Sequence, residues 1–238
     1  THRDYGNHVG VFRLMRMLAD LGLNASVAIN SALADRYPAL IEEVSAGGHE
    51  IVAHGVDMNH LHHGGLTVEA ERALIETSTS TLRRASGQKV RGWLSPGKSE
   101  SAQTLSLLRD YAIDYVCDWP NDDMPYALAG PAVGLTAMPH ATELSDFQCL
   151  WTWHQTTEEF SQQIVDQFRF LYDEARRGGG RVMSLTLHPW ISGHPHRIKP
   201  IRAALEAILA HAGVWPATGE AILDAFLRAS PAGPAAPA

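Results

Sequence analysis

Residues 50–63 read Glu50-Ile-Val-Ala-His54-Gly-Val-Asp57-Met-Asn-His60-Leu-His62-His63. Four residues of strand-like composition lead directly into a polar loop that is rich in histidine. The strand places His54 at its carboxyl end, and Gly55 permits the chain to bend there. A strand that ends in chemically active side chains is typical of parallel α/β proteins, whose sites lie on the loops at the carboxyl ends of the strands.

Helical and strand-like segments alternate on both sides of this stretch. Apolar periodicity and cap signals predict helices over Val9–Leu21, Pro38–Ala46, Thr67–Ala85, Leu105–Tyr111 and from Thr156, whose capping box is completed by Glu159, to Ala175. Short apolar runs predict strands over Ala25–Ile29, Glu50–Ala53, Val90–Leu94, Ile113–Val116, Arg181–Leu187 and Val214–Trp215. The alternation predicts βαβ units and a mainly parallel sheet or barrel. No repeat or linker interrupts it, so we predict one domain over residues 1–230, followed by a flexible tail, residues 231–238.

The composition excludes several classes of protein. Apolar residues make up 45% of the 238 residues, and the net charge is −7, which gives no support for binding to nucleic acid or to an anionic membrane. The two cysteines, Cys117 and Cys149, do not form a disulfide framework and fit a reducing, cytoplasmic compartment. No apolar run approaches the roughly 20 residues that span a bilayer. Because a helical pattern begins almost at Thr1, we expect that residues preceding it are missing from this chain.

Four polar clusters each follow a predicted strand. They are His54–His63, Arg91–Ser101, Asp114–Tyr126 and His188-Pro189-Trp190. Imidazole is the commonest metal ligand and can also act as a general acid, and a carboxylate can orient such a histidine, bind a metal or act as a base. The alternatives are a solvated histidine loop, turn-forming Asp and Asn residues, and a histidine held under a Pro-capped loop. Because the carboxyl ends of parallel strands share one edge, we expect His54 and His188 to face one pocket.

Two common chemistries find no support in these clusters. The segment Arg91–Ser101 lacks the glycine, lysine and hydroxyl spacing of a phosphate-binding loop. Neither a serine nucleophile elbow nor a setting for a cysteine nucleophile is present. A hydrolase built on these residues would therefore use activated water.

The four clusters, in this order, resemble the polysaccharide deacetylase family, the nodulation-protein-type carbohydrate esterases, and most closely its allantoinase-like, cyclic-imide-hydrolase-like and peptidoglycan-deacetylase-like branch. Asp4-Tyr5-Gly6 with Val9-Gly10-Val11 resembles the early helix of that branch, and Leu187-His188-Pro189 resembles the family's fifth motif. The resemblance runs from about Asp4 to Arg228 and implies a deformed (β/α) barrel. The aspartate pair of the family's first motif, on the first barrel strand, is absent from this chain, which leaves the catalytic base unassigned.

The resemblance also implies roles for individual residues. His54 would be a metal ligand, His188 the general acid, and Asp118 and Arg91 would hold the base and tune His188. The family's second ligand stands four residues after the first, where this chain has Met58, so His60 is the nearest substitute. The metal would be divalent, normally zinc, or the reaction would need none. The expected substrate-binding residues are Trp93, Ser95, Pro96, Asn121, Asp122, Asp123, Tyr126 and Trp190.

These expectations leave three functions open. The first is hydrolysis of a carbon–nitrogen bond in a small cyclic amide, imide or ureide, which the modest aromatic content of 8% favours slightly. The alternatives are a deacetylase of N-acetylated sugars, whether polysaccharide or peptidoglycan, and a catalytically inactive domain that binds a metabolite or sugar. Proteins of the branch that this chain resembles often form homo-oligomers. The segment Leu150-Trp151-Thr152-Trp153 is the candidate contact between subunits.

Overall fold

The computed structural model describes residues 2–229, and the side chains from residue 3 onwards. The chain divides into two compact units. We call residues 24–119, 125–138 and 217–229 the sheet unit, and residues 2–23, 120–124 and 139–216 the helical unit. The predicted tail, residues 231–238, lies outside the described residues. No helix within residues 2–229 is both long and apolar enough to cross a membrane.

The sheet unit contains six strands in the order β1-β2-β3-β4-β6-β5. Their bounds are β1 Ser26–Ile29, β2 Glu50–Ala53, β3 Gly92–Trp93, β4 Tyr115–Val116, β5 Tyr126–Ala127 and β6 Thr136–Ala137. Every neighbouring pair is parallel except β5 and β6, which are antiparallel. All four residues of β2 are buried, as expected of a strand in the middle of a parallel sheet. The predicted α/β class with a mainly parallel sheet is confirmed.

The α-helices of the sheet unit within the described residues are α3 Ala32–Arg36, α4 Pro38–Ala46, α5 Val68–Ser86, α6 Thr104–Asp110 and α10 Gly219–Ala229. Of these, α4, α5 and α6 begin and end close to the predicted positions. The Thr67 side chain accepts a hydrogen bond from the backbone N–H of Ala70, which confirms the predicted cap of α5. Pro38 begins α4 at a position where its missing N–H costs nothing.

The helical unit is built around one apolar core. Its helices are α1 His2–Tyr5, α2 Val11–Asp20, α7 Thr157–Ala175, α8 Pro189–Ser192 and α9 Pro195–Leu209, and two π-helical segments lie at Gly6–Gly10 and Phe147–Thr152. Phe160, Ile164, Ile191 and Ile201 are fully buried in that core. The predicted capping box is confirmed, because Thr156 and Glu159 each hydrogen-bond the other's backbone N–H.

Two strand predictions are corrected. Residues 181–187 form only one isolated bridge, in which Thr186 pairs with Ser145, and residues 214–215 form no strand. Conversely, β5 and β6 were not predicted, because two residues carry no readable alternation. A strand exists only where a partner strand satisfies its backbone, and composition does not report that partner.

Candidate functional site

The carboxyl ends of β2, β3 and β4 lie at one edge of the sheet unit, which we call the carboxyl edge. His54, Leu94 and Asp118 follow these strands at that edge. The His54 N–H donates to the Ile29 carbonyl at 3.0 Å, which continues the pairing of β1 and β2 by one residue. The His54 imidazole lies within hydrogen-bonding distance of the Leu94 carbonyl, 2.6 Å from Nδ1. Nδ1 is therefore the donor of this bond, which leaves Nε2 as the ring nitrogen that can accept a proton or bind a metal.

His60 is not placed as a second metal ligand would be. Its side chain is 54% exposed, and Nδ1 lies 2.7 Å from Oδ1 of Asp57, three residues earlier. The same Asp57 oxygen accepts the backbone N–H groups of Asn59 and His60, so the segment is a local Asp turn. The predicted pairing of His54 with His60 is therefore corrected.

The described residues do not fit a resident metal ion. Within residues 2–229, no three His, Cys, Asp or Glu side chains come together in a way that could hold one. Met58 stands where the family pattern places the second imidazole, and a thioether does not suit the hard oxygen and nitrogen environment of a hydrolytic zinc site.

The histidine that the fold buries in this loop is His62, which sequence reasoning had not singled out. His62 and Glu71 are both fully buried, and His62 Nδ1 lies 2.9 Å from Glu71 Oε1. Ser101 and Thr104 also donate hydrogen bonds to the Glu71 carboxylate. Burial alone would raise the pKa of Glu71, but the hydrogen bonds from Ser101, Thr104 and His62 outweigh it and lower that pKa. This network ties the histidine loop to α5 and α6.

Asp118 lies two residues after the end of β4 and is buried, with 5% of its surface exposed. Its Oδ1 accepts the backbone N–H of Ser95 at 2.7 Å, and Oδ2 has no hydrogen-bond partner among the described residues. Burial raises the pKa of Asp118 to about 7, the nearby Glu100 carboxylate adds to the rise, and the bonds from Ser95 oppose it. Asp118 thus joins the loops after β3 and β4 and holds a proton more tightly than an ordinary aspartate.

Arg91 lies at the other edge of the sheet from Asp118, because it precedes β3 rather than following it. Its Nε donates to Asp114 at 2.5 Å, and its Nη1 donates to Asp224 of α10 at 2.9 Å. Partial burial would lower the pKa of Arg91, but the bonds to Asp114 and Asp224 raise it. The structure gives Arg91 a place between β3, β4 and α10, away from the carboxyl edge where its expected role would require it.

Trp93 and Ser95 are fully buried rather than open to a substrate. The Trp93 indole N–H donates to the Ser95 hydroxyl at 2.8 Å, and its ring meets the His62 ring edge-on. Pro96 is also buried, and a Cβ atom on Gly55 would lie 2.5 Å from its ring. Gly55, with a φ of 65°, is thus required both by the turn and by this contact.

The helical unit holds the second candidate centre, around His188. His188 Nδ1 lies 2.6 Å from Oδ1 of Asp146, and the His188 backbone N–H donates to Asp146 Oδ2 at 2.7 Å. The Ser192 hydroxyl donates to the same Oδ2. Asp146 is fully buried, whereas the His188 side chain is 37% exposed. The carboxylate fixes the ring and its tautomer, so Nε2 is the nitrogen available to a ligand.

Asp146 replaces Asp118 in the role that we expected beside His188. It immediately precedes the π-helical segment Phe147–Thr152, whereas Asp118 is occupied with Ser95. Asp146 lies 42 residues before His188, in a segment without a recognisable motif. The only signal was a single acidic residue between the apolar residues Leu144 and Cys149.

Aromatic rings surround His188. Its ring centroid lies 5.7 Å from that of Phe147 and 6.3 Å from that of Trp190. The Trp151 ring meets the Trp190 ring nearly perpendicularly at 5.0 Å, and the Arg3 guanidinium lies 5.3 Å from the centre of Trp190. The structure thus places Trp190 beside His188, where a substrate-binding residue was expected.

Both π-helical segments of the helical unit contribute to the surroundings of His188. The first, Gly6–Gly10, packs against the residues that follow His188: a Cβ atom on Gly10 would lie 2.1 Å from the Pro189 carbonyl oxygen. The second, Phe147–Thr152, carries Phe147 and Trp151. Single turns of π-helix are rare and are frequent at functional sites.

Three further predicted residues line a separate cavity of the helical unit. It has a volume of about 260 Å³ and is lined by Asn121, Asp122, Asp123, Glu143, Gln167 and Ser184 among others. The Val182 N–H donates to the Asp123 carbonyl, and the Met124 N–H donates to the Asp122 side chain. Tyr126 lies on β5 in the sheet unit and is half-buried.

The fold and these centres define a mainly parallel α/β protein with a carboxylate-oriented histidine. Residues 4–116 match the family model for polysaccharide deacetylases. The chain is 23% identical, over 96% of its length and 76% of the relative, to a Schizosaccharomyces pombe protein assigned to the polysaccharide deacetylases. It is 22% identical, over 95% of its length and 87% of the relative, to the peptidoglycan deacetylase of Helicobacter pylori.

The solved structure of Puue allantoinase shares the fold. Its TM-score is 0.85 at 22% identity, over 96% of this chain and 76% of that one. Residues 4–116 thus match the polysaccharide deacetylase family, as the sequence motifs predicted. That family consists of hydrolases that act on carbon–nitrogen bonds other than peptide bonds.

Proposed function

We propose that this protein removes the acetyl group from the amide nitrogen of an N-acetylated sugar, with His188 as the general acid. The proposal is based on the His188–Asp146 pair, in which a fully buried carboxylate holds a partly exposed imidazole. The family match and the names of the two sequence relatives favour this deacetylase function over the cyclic amide that the sequence first favoured. The likeness to the allantoinase is one of fold.

The chemistry assigned to His188 is protonation of the leaving amine. Water adds to the amide carbonyl, and the carbon–nitrogen bond of the tetrahedral intermediate then breaks. The amine is a poor leaving group unless its nitrogen receives a proton, which the protonated Nε2 of His188 donates. Asp146 stabilises the imidazolium and keeps Nδ1 protonated. The products are acetate and the free amino sugar.

The remaining assignments extend this proposal beyond the helical unit. We keep as predictions that His54 and Asp118 support the reaction. Zinc dependence, implied by the resemblance alone, is tested by the metal content of the purified protein and by activity after exhaustive chelation and add-back of zinc, cobalt or manganese. Full activity in the metal-free protein would end the metal mechanism.

Two broader expectations accompany the proposal. We propose a cytoplasmic protein, on the grounds of its two free cysteines, and one that forms a homo-oligomer, as members of the branch it resembles do. Sedimentation at micromolar concentration tests the second expectation, since a monodisperse monomer contradicts it.

A substrate panel tests the function directly. Acetate release is measured from N-acetylglucosamine and its β-1,4 oligomers, and ring opening from allantoin, hydantoin and succinimide. We expect acetate release, and we expect His188→Ala to reduce it at least 100-fold, in line with general acid catalysis. His211→Gln is the matched control, because His211 is an exposed histidine of the same unit that contacts Phe168 and Tyr172 instead. Ring opening without acetate release would overturn the proposal in favour of the cyclic-amide function.

A further inference from the structure

The aromatic residues beside His188 are unusually exposed for their size. Phe147 is 37% exposed and Trp151 is 48% exposed, and both lie on the π-helical segment Phe147–Thr152. Trp153, just after this segment, is 51% exposed. Exposure of apolar rings to water is unfavourable, so a group of exposed rings often marks a binding surface.

The rings form a connected path that ends at the imidazole. Trp151 contacts Trp190, Trp190 contacts Phe147, and Phe147 contacts His188. Two contacts hold Trp190 in place. The Arg3 guanidinium packs on its ring, and Gly6 lies so close that a Cβ atom there would be 2.8 Å from the Trp190 backbone nitrogen. Trp190 therefore has a fixed position, and Phe147 and Trp151 are the more exposed rings that pack against it.

The local backbone holds Phe147 and Trp151 in place. The Trp153 N–H donates to the Gln148 carbonyl at 2.9 Å, and the Thr152 hydroxyl donates to the Phe147 carbonyl at 3.2 Å. The first bond joins backbone groups five residues apart, as in a π-helix, and the second ties a side chain of the same turn to its backbone. The same segment begins directly after Asp146, so the carboxylate and the rings are positioned by one piece of backbone.

We propose that Phe147 and Trp151 form a platform on which a sugar ring of the substrate stacks next to His188. The C–H groups on one face of a pyranose ring carry partial positive charge, and they fit the negative face of an aromatic ring. Such a platform binds a sugar without reading its hydroxyl groups, and it lies beside the group that protonates the leaving amine. This inference rests on the proposed function and names the residues that hold the sugar ring beside the general acid.

A second copy of the chain is the competing occupant, since the same tryptophans were the expected oligomer contact. The observations favour the sugar because the path of rings leads to His188. A subunit seated on Phe147 would cover the imidazole that the reaction needs. The association state of each variant is therefore measured with its affinity.

The test compares Trp151→Ala with Trp151→Phe and with Trp215→Ala. Trp215 is also an exposed tryptophan of the helical unit, at 59%, and has no described ring contact within residues 2–229. Binding of chitotetraose is measured by calorimetry, acetate release from the monomer and the tetramer is measured kinetically, and sedimentation gives the mass. We expect Trp151→Ala to weaken tetramer binding and raise its KM about tenfold with little change in kcat, and Trp151→Phe to restore most of the affinity.

The outcomes separate the platform from the proposed function. Unchanged binding in Trp151→Ala overturns the platform, as does a wild-type protein that binds no chitotetraose. An equal loss in Trp215→Ala, or a loss of assembly in Trp151→Ala without a loss of affinity, also overturns it. If chitotetraose binds through Trp151 but no acetate is released from any sugar, the platform stands and the deacetylase function fails.

Discussion

His188 and Asp146 form a hydrogen-bonded pair, with 2.6 Å between Nδ1 and Oδ1, although 42 residues separate them in the chain. The carboxylate also accepts the backbone N–H of His188 and the hydroxyl of Ser192, so one buried side chain determines the position, rotation and tautomer of the imidazole. This arrangement is what a general acid requires, because the proton must stay on a ring nitrogen of defined direction.

Replacement of Asp146 by asparagine should reduce kcat by about 100-fold or more, because the amide cannot stabilise the imidazolium and can hold the wrong tautomer. Steady-state acetate release measures the effect. Asp166→Asn is the control, since Asp166 is a 61% exposed aspartate on α7 of the same unit. Wild-type turnover in Asp146→Asn would show that the pair has only a structural role.

Asp118 should make the protein less stable as the pH rises from about 4 to about 7. Its folded-state pKa of about 7 lies above its ordinary value. As the pH rises, the unfolded chain therefore loses this proton before the folded chain does. Loss of the proton stabilises the unfolded state relative to the folded state, so the free energy of unfolding falls. Above pH 7 this contribution is constant.

The measurement is the free energy of unfolding of wild type and of Asp118→Asn at pH 4, 5.5, 7 and 8. Asparagine has no proton to lose, so the variant should gain stability relative to wild type as the pH rises over this window. A difference between the two proteins that does not change with pH would contradict the raised pKa. Activity of the same variant tests the role that we first expected for Asp118.

Glu71→Ala should lower the free energy of unfolding by about 3–5 kcal/mol, the usual cost of removing one partner from a buried, hydrogen-bonded pair. The substitution leaves His62, Ser101 and Thr104 without their shared acceptor. Urea denaturation measures the loss. Glu69→Ala, two residues earlier and exposed on the same helix, should cost less than about 1 kcal/mol. Equal losses in the two variants would mean that the buried network is not stabilising.

Gly10→Ala should both destabilise the protein and slow the reaction. Alanine at a helical glycine normally adds up to about 1 kcal/mol of stability. Here the new Cβ atom would lie 2.1 Å from the Pro189 carbonyl oxygen, so the chain next to His188 must move. We expect a loss of about 1–3 kcal/mol, the usual cost of overpacking, and a lower kcat. Gly64→Ala, which meets no atom within 4 Å, is the control. A neutral Gly10→Ala would mean that the two segments are loosely packed.

The site was predictable only in part. His54 and His188 were identified because each follows a strand-like run and carries the right chemistry, and the structure places both beside oxygen acceptors on Nδ1. The sequence favours Asp118, which follows a predicted strand, and carries no motif at Asp146. Asp146 is nevertheless the carboxylate that pairs with His188, since which carboxylate meets an imidazole depends on the path of the chain between them.

The sequence by itself determined the features that depend on near neighbours. The bounds of α4 and β2, the Thr67 cap and the Thr156–Glu159 box are set by periodicity and by side chains within three residues of the backbone groups that they satisfy. Tertiary structure alone decided that residues 181–187 remain outside the sheet, that His62 is buried against Glu71, and that Asp146 orients His188. The physical reason is that a strand, a buried histidine–carboxylate pair and an oriented acid each need a partner distant in the chain, and only the folded backbone brings that partner within hydrogen-bonding distance.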